Sequence, residues 1–245
     1  MGVAKQRLDR LLVERGLAPS RERAQALVLA GEILVDGQKA TKPGHAVAAD
    51  CTLSSLATSA AFASRAGDKL AAALDHFQVS VADRVALDVG SSTGGFTDCL
   101  LQRGARRVHA VDSGTNQMIW RLRTDPRVHL REQTNARFLT PDAIGEPVDV
   151  LVVDVSFISV TLLLPALLPL LAPAAHVVIL VKPQFEAGRA GVGKGGIVRD
   201  PEVRAAALSH VAAALSASGL NNVNAIDCPV LGARGNQEFL LHAVR

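Results

Sequence analysis

The chain has 245 residues, of which 49% are hydrophobic and 20% charged, so it can bury a core and is unlike a disordered chain. Its net charge of +3 is compatible with a nucleic-acid partner but is too small to identify one. Its three cysteines form no Cys-x-x-Cys pair and its amino-terminal "MGVAKQRLDR" has no apolar core, so we expect a cytoplasmic protein without a disulfide framework, a metal site or a signal peptide.

The first elements predict a small domain of two helices and a hairpin. Leucines at helical spacing in "RLDRLLVERGL" predict a helix that ends at Gly16. "SRERAQALVLAG" predicts a second helix, with Ser20 as its N-cap and Gly31 at its end. "ILVDGQKA" predicts two short strands around Asp36-Gly37, and Lys42-Pro43-Gly44 predicts a turn.

Positive charge is concentrated at the start of this region. The first 23 residues hold six basic and three acidic side chains, a net charge that equals that of the whole chain. Basic side chains on a helix face can bind RNA phosphates without reading sequence, whereas the ordinary alternative is a solvated helix face. The candidate RNA-binding residues are Lys5, Arg7, Arg10, Arg21 and Arg23.

The order and spacing of "RLDRLLVERGLAPSRERAQALVLAGEILVDGQKATKPG" resemble those of the S4 RNA-binding domain. The resemblance implies a small α+β domain that docks on structured RNA through its two-helix face. The small residues of "ATSAAFA", 57–63, indicate a linker after it. We place an S4-like domain at 1–59, a linker at 60–64 and a second domain at 65–245.

Beyond residue 64, apolar runs alternate with helical segments, which predicts an α/β domain with a mostly parallel sheet and helices on both faces. The predicted strands are 85–89, 108–111, 148–153 and 176–181, with a further segment at 223–231 and the final "QEFLLHAV". The apolar stretch 149–181 contains Asp154, Pro165, Pro169 and Pro173, so we expect strand, helix and strand there rather than a membrane span. Ligands bind at the carboxyl ends of such strands.

A glycine-rich loop follows the first of these strands. In "DVGSSTGGFTD", Gly90 and Gly95 occupy the outer positions of the G-x-G-x-x-G pattern and Ser92 the middle one. Asp112, 22 residues after Gly90, ends the next strand and would accept hydrogen bonds from a ribose. A pyrophosphate favours glycine where Ser92 stands, so the loop favours S-adenosylmethionine and a methyltransferase but leaves a nicotinamide cofactor and a dehydrogenase open.

The candidate cofactor-binding residues are Gly90, Ser91, Gly94, Gly95, Phe96 and Asp112, with Asn135 as a weaker candidate. The Gly94-Gly95 pair would let the backbone approach a ligand. Asn135, in "EQTNAR", would lie near an adenine or, alternatively, cap a turn.

Two charged residues follow buried strands. Asp154 follows 148–153 and Lys182 follows 176–181, and an ionised side chain inside a core costs several kcal/mol unless it is paired. The two residues therefore form either a catalytic pair at the sheet edge or a structural salt bridge. Lys69 and Glu238, taken by themselves, are predicted to be surface charges.

Seven motifs resemble those of the TlyA-family ribosomal RNA methyltransferases, also called the haemolysin-A type. They are "SRAGDKL", "DVGSSTGGFTD", "EQTNAR", "DVSFIS", "LVKPQFEAG", "GGIVRDP" and "GARGNQEF". The resemblance implies a Rossmann-like class I methyltransferase of the FtsJ type behind an S4 domain, with S-adenosylmethionine as donor. It implies 2′-O-methylation of cytidine in ribosomal RNA or ribosomal subunits. The family's Lys-Asp-Lys-Glu tetrad falls on Lys69, Asp154, Lys182 and Glu238.

The chain departs from the family pattern after the ribose-binding acid. It has "DSGTNQM" where the family has a Val-Gly-Tyr-Gly-Gln-like run, and tyrosine is absent from the whole chain. A ring contact at Thr115 is therefore not expected.

The Gly-rich segment 186–201 predicts either a mobile loop that covers the RNA or the methyl donor, or an ordinary surface loop. Two further functions remain open: a non-catalytic RNA-binding or ribosome-assembly factor, and a membrane-active haemolysin.

Overall fold

The computed structural model describes residues 5–18, 20–29, 31–55, 61–188, 191–193, 195–232 and 235–245. The chain divides into two compact units, Met1–Ala60 and Ala61–Arg245. Positions 57–60 of the expected linker lie outside the described residues. Phe62 packs against the core of the second unit and Ser64 caps its first helix, so residues 62–64 belong to that unit rather than to a linker.

The first unit combines two helices with short antiparallel strands. In chain order its elements are β1 (Lys5–Arg7), α1 (Leu8–Glu14), α2 (Arg21–Leu29), β2 (Ile33–Val35), β3 (Gln38–Lys39), β4 (Ala46–Ala48) and β5 (Leu53–Ser55). Strand β1 pairs with β4, and β2 lies between β3 and β5. The core between these elements contains Leu8, Leu12, Ala24, Val28 and Ile33.

The turn residues predicted for this unit are confirmed. Gly16 and Gly31 follow the two helices with positive φ angles, and the Ser20 hydroxyl accepts a hydrogen bond from the Arg23 amide. Asp36 and Gly37 also have positive φ, which is the geometry that a two-residue hairpin turn requires.

The second unit is built around one mixed sheet. Its elements are α3 (Arg65–His76), β6 (Val85–Val89), α4 (Gly95–Gln102), β7 (Arg107–Val111), α5 (Trp120–Arg123), β8 (Val128–Arg131), α6 (Pro141–Ile144), β9 (Val148–Val153), α7 (Leu164–Leu167), β10 (Leu171–Val181), α8 (Pro183–Glu186), α9 (Pro201–Ala217), β11 (Asn221–Asp227) and β12 (Phe239–Val244). The strand order is β11-β12-β10-β9-β6-β7-β8. Strands β6 to β10 are parallel, and β12 is antiparallel to both of its neighbours. The mostly parallel sheet is therefore confirmed, although the sequence did not predict β8.

Both faces of the central strands are buried. Leu87 and Leu151 belong to one apolar cluster, whereas Ala86 and Val150, their neighbours along the strands, belong to a second one. Because side chains alternate between the faces of a strand, each cluster lies on its own side of the sheet. Within the described ranges, no helix is long and apolar enough to cross a membrane. The parallel strands bring their carboxyl ends to one edge.

Candidate active site

The glycines of the loop after β6 make room for other parts of the protein. Gly90 has φ +87°, and a β-carbon there would lie 2.4 Å from the carbonyl oxygen of Asp154. A β-carbon at Gly94 would lie 2.4 Å from Leu122, and one at Gly95 would lie 2.2 Å from the Ser64 hydroxyl. Close internal packing therefore requires glycine at both positions, and the approach of a ligand to their backbone stays a prediction.

A cavity of about 490 Å³ lies at the carboxyl ends of β6, β7 and β9. Gly90, Ser92, Asp112, Asn135 and Asp154 are among the residues that line it. The cavity therefore adjoins three of the predicted cofactor-binding residues and one member of the predicted tetrad.

Backbone amides orient the Asp112 carboxylate in this cavity. Its Oδ2 accepts a hydrogen bond from the Ser92 amide at 2.8 Å, and its Oδ1 accepts one from the Gly114 amide at 2.7 Å. The Ser92 hydroxyl in turn donates to Gln117. Each carboxylate oxygen has a second lone pair, so the oriented group can still accept hydrogen bonds from a ligand.

Asn135 caps a turn and also lines the cavity. Its Oδ1 accepts a hydrogen bond from the Arg137 amide at 3.0 Å, which starts the short helical turn 136–138. The turn-cap alternative is thus observed, and an adenine contact stays a prediction.

A smaller cavity of about 100 Å³ lies beneath the glycine loop. Ser64, Ser91 and Asp154 are among its lining residues, and so are Gly95 and Phe96. The Phe96 side chain is itself buried in the core. Among the described residues, the buried Ser91 Oγ has no hydrogen-bond partner. Unsatisfied buried polar atoms at a cavity indicate a place for a polar ligand or water.

Acidic side chains surround this loop. Asp88 is fully buried in β6, and its Oδ2 accepts a hydrogen bond from the Thr97 hydroxyl at 2.6 Å. Burial, with a smaller contribution from the nearby charges of Asp154 and Asp112, raises the pKa of Asp88 to about 7, and the hydrogen bond from Thr97 opposes the shift.

The predicted tetrad comes together at the same sheet edge. Lys69, on α3, donates a hydrogen bond to Glu238 at 2.5 Å, and both side chains are buried. Lys182 Nζ lies 2.6 Å from Asp154 Oδ1 in an ion pair and donates a hydrogen bond to the Ser156 hydroxyl at 2.9 Å. The prediction that Lys69 and Glu238 are surface charges when taken alone is therefore wrong.

The four tetrad residues line a second cavity of about 500 Å³. Asp154, Ser156 and Phe157 line both this cavity and the 490 Å³ one. Asp154 therefore lies where the 490 Å³ cavity at the glycine loop adjoins the 500 Å³ cavity that the tetrad lines.

Sequence reasoning missed three further residues of the second cavity. Phe157 is 91% exposed at φ +68°, and its ring centroid lies 5.2 Å from that of Phe185. A left-handed backbone is uncommon for a bulky side chain, but no sequence pattern marks it.

The buried Asn236 side chain accepts a hydrogen bond from the Val198 amide and donates one to the Gly196 carbonyl, and so holds part of the Gly-rich segment. Its place inside the motif "GARGNQEF" was the available signal.

The predicted RNA-binding residues are exposed on the first unit. Lys5, Arg7, Arg10, Arg21 and Arg23 all lie at its surface. Arg7 and Arg21 contact Asp9, and Arg10 lies 3.5 Å from Glu14. In the parts of the chain that the structure describes, no group of three or more His, Cys, Asp or Glu side chains is arranged to hold a metal ion.

Comparison with known proteins matches both units. The FtsJ-like methyltransferase family matches residues 62–245, and the S4 domain matches residues 6–50. The chain is 48% identical to the 16S/23S rRNA (cytidine-2'-O)-methyltransferase TlyA of Mycobacterium tuberculosis, over 96% of this chain and 88% of that protein. It is 40% identical to Hemolysin A of Brachyspira hyodysenteriae, over 97% of this chain and 99% of that protein.

A solved structure of a proposed hemolysin from Streptococcus thermophilus has the same fold. It is 41% identical, superposes with a TM-score of 0.77, and the match covers all of this chain and 90% of the other. The predicted S4 and Rossmann-like methyltransferase folds are thus confirmed, and the dehydrogenase alternative is excluded. The chain belongs to the FtsJ-like methyltransferases and, among them, to the TlyA family.

Proposed function

We propose that this protein transfers a methyl group from S-adenosylmethionine to the 2′-hydroxyl of a cytidine in ribosomal RNA, which the first unit helps to bind. The observation that carries the proposal is the Lys69, Asp154, Lys182 and Glu238 cluster, which lines one cavity and shares Asp154 with the adjoining one. The related protein of Mycobacterium tuberculosis is named for this reaction on 16S and 23S rRNA.

The cavities at the glycine loop fit the donor's chemistry. S-adenosylmethionine, when bound, supplies an electrophilic methyl group on a positively charged sulfur. Asp112 would accept hydrogen bonds from its ribose, and Asn135 would contact its adenine. The unsatisfied Ser91 Oγ and the adjacent carboxylates suit the amino-acid end, together with the backbone from Gly90 to Phe96.

Lys182 is the residue that we assign to the reacting hydroxyl. A ribose hydroxyl is a weak nucleophile, so a base that takes its proton, or a positive charge beside it, promotes attack. Asp154 and Ser156 hold the ammonium group of Lys182 from two sides, which fixes its direction. The Lys69–Glu238 pair forms another wall of the same cavity and would position the target ribose.

The test is the substitution Lys182→Ala. We expect S-adenosylmethionine binding to be retained by calorimetry, whereas transfer of a tritiated methyl group to ribosomal RNA falls by about 100-fold or more, the usual contribution of an acid–base group. Lys182→Arg separates the two roles, because arginine keeps the charge but cannot accept a proton. Asn224→Ala, at an exposed position on β11, is the control. Normal turnover by Lys182→Ala would refute the assignment.

The remaining alternatives make different predictions. A non-catalytic assembly factor would not bind S-adenosylmethionine, so calorimetry on the unsubstituted protein decides that case. A membrane-active haemolysin would lyse red cells as purified, RNA-free protein. Mapping 2′-O-methyl marks in ribosomal RNA with and without this gene would identify the target nucleotide. A cytoplasmic location stays a prediction.

A further inference from the structure

A buried carboxylate lies among the basic residues of the first unit. The Asp9 side chain, on α1, is 0% exposed. Its Oδ1 accepts a hydrogen bond from Arg7 Nε at 3.0 Å. Its Oδ2 accepts hydrogen bonds from Arg7 Nη2 at 2.8 Å, Gln25 Nε2 at 3.0 Å and Arg21 Nη2 at 3.3 Å. The hydrogen bond from Arg7 holds the pKa of Asp9 far below its ordinary value, so the group is ionised.

The two arginines keep most of their hydrogen-bonding capacity. A guanidinium has five N–H donors, of which Arg7 uses two on Asp9 and Arg21 uses one. Their side chains are 53% and 55% exposed. Among the described residues, their remaining N–H groups meet no other hydrogen-bond acceptor. Both cations are therefore oriented by Asp9 while they still present donors to solvent.

The shared oxygen also sets the spacing of the two cations. Because Arg7 Nη2 and Arg21 Nη2 both contact Oδ2, they lie at most about 6 Å apart, the sum of the two contact distances. Hydrogen bonds of ordinary length from two nitrogens at this spacing can reach different oxygens of one phosphate group. Arginine is the residue best suited to such paired recognition.

A turn fixes Arg7 from the other side. The amides of Leu8 and Asp9 each donate at 2.9 Å to carbonyls of the segment around Gly44, those of His45 and Pro43. A β-carbon at Gly44 would lie 3.3 Å from both terminal nitrogens of Arg7, so glycine leaves the space in which this guanidinium lies. Its position is therefore determined by the fold as well as by Asp9.

We propose that Arg7 and Arg21, held by Asp9, form one binding site for a single backbone phosphate of the RNA. This inference rests on the proposed function only in that the first unit must bind RNA. It assigns to Asp9 the role of a positioning residue: an acid in a basic surface weakens RNA binding by its charge, but here it orders the two cations that make the contact.

The number of phosphates is measurable from salt dependence. We would compare Arg7→Gln, Arg21→Gln and the double variant, in the full chain, for binding to in vitro transcribed 16S and 23S rRNA at several KCl concentrations. Each neutralised phosphate contributes about 0.7 to 0.9 to the slope of log K against log salt. If both arginines bind one phosphate, the double variant should lower the slope by the contribution of one phosphate. A slope lower by the contribution of two phosphates would mean separate sites and would overturn the proposal. An unchanged slope would also overturn it.

Asp9→Asn tests the positioning role by the sign of its effect. Charge alone predicts tighter RNA binding when an acid is neutralised, whereas loss of positioning predicts binding weaker by about tenfold, the typical effect of removing one charge-assisted hydrogen bond. Glu14→Gln is the matched control, because it removes an equal charge from an exposed site on the same helix. We expect this control to bind RNA as well as or better than the unsubstituted protein. Equal or tighter binding by Asp9→Asn would overturn the positioning role.

Two measurements keep these outcomes separable. Thermal unfolding and S-adenosylmethionine binding report whether each variant is folded, and the arginine variants decide the phosphate count if Asp9→Asn is not folded. If the unsubstituted protein binds neither RNA, the proposed RNA docking fails. If it binds RNA but the slope of the double variant falls by the contribution of two phosphates, only the proposal of a shared phosphate site is wrong.

Discussion

At the scale of single residues, burial changes the acid–base behaviour of histidines far from the candidate active site. His242 on β12 and His176 on β10 are stacked, with His176 Nδ1 3.0 Å from His242 Nε2. The His242 ring also stacks on Phe77, with the ring centroids 5.1 Å apart. Burial, with a smaller contribution from the adjacent His176, lowers the pKa of His242 to about 4. The sequence showed the two histidines but not that they meet.

This pair predicts a loss of stability in mild acid. The pKa of His242 is about 4 in the folded protein and near 6.5 in the unfolded chain. Between these values the unfolded chain binds more protons, so the free energy of unfolding falls as the pH is lowered from 6.5 towards 4. His242→Phe keeps a ring beside Phe77 but removes the titrating group, so the free energy of unfolding should fall less between pH 6.5 and 4.

Urea unfolding at pH 7 and pH 5 measures the effect. His210→Gln, which replaces an exposed histidine on α9, is the control and should keep the pH dependence of the unsubstituted protein. If His242→Phe loses as much stability between the two pH values as the unsubstituted protein, another group is responsible.

At the scale of elements, local patterns predicted the strands and loops that are well marked in the sequence. Apolar runs and glycines identified β6, the loop after it and β9. Strand β8 was missed because "VHLR" is short and half-exposed at the edge of the sheet, so it has no continuous apolar run. The role of Gly90 was also not predictable, because the atom that requires glycine belongs to Asp154, which follows β9, a different strand.

The substitution Gly90→Ala tests this packing against a matched glycine. Gly90 and Gly145 have φ angles of +87° and +83°, but a β-carbon at Gly145 would have nothing within 4 Å. Both alanine variants carry the cost of a left-handed backbone, about 1 kcal/mol. Only Gly90→Ala must also displace the Asp154 backbone, so we expect a larger loss of unfolding free energy and about tenfold or more lower methyl transfer.

Chemical denaturation and the tritium assay distinguish the two variants. Gly145→Ala should lose only the shared backbone contribution and keep its activity. Equal losses of stability, with activity intact in both variants, would mean that the loop relaxes and that the approach of β6 to β9 is not constrained at Gly90.

At the scale of the whole molecule, binding of RNA and binding of the donor are assigned to different units. The candidate RNA-binding residues belong to the first unit, and the residues around the glycine loop belong to the second. Each unit has its own core, and the assignment of RNA to one unit and of the donor to the other stays a prediction from the sequence. Changes to the charge of the first unit should therefore alter RNA affinity without altering donor affinity.

The triple variant Lys5→Gln, Arg10→Gln, Arg23→Gln tests this division. It leaves the Asp9 cluster intact and lowers the net charge of the chain from +3 to neutral. We expect a higher KM for ribosomal RNA, a salt slope lower by about 0.7 to 0.9 for each phosphate that is no longer neutralised, and an unchanged donor Kd. Filter binding, calorimetry and steady-state kinetics measure these quantities. A weaker donor affinity, or a lower kcat at an unchanged KM, would contradict the division.

The sequence by itself determined what depends on neighbouring residues: the helices and strands with strong periodicity, the hairpin at Asp36-Gly37 and the two charges at strand ends. Only the tertiary structure decided which distant side chains meet, such as Lys69 with Glu238, 169 positions apart. It also showed that Phe96 is buried in the core and that Asn236 holds the Gly-rich segment. The physical reason is that hydrophobic period and turn geometry are local properties, whereas strand order brings remote residues to one edge of the sheet.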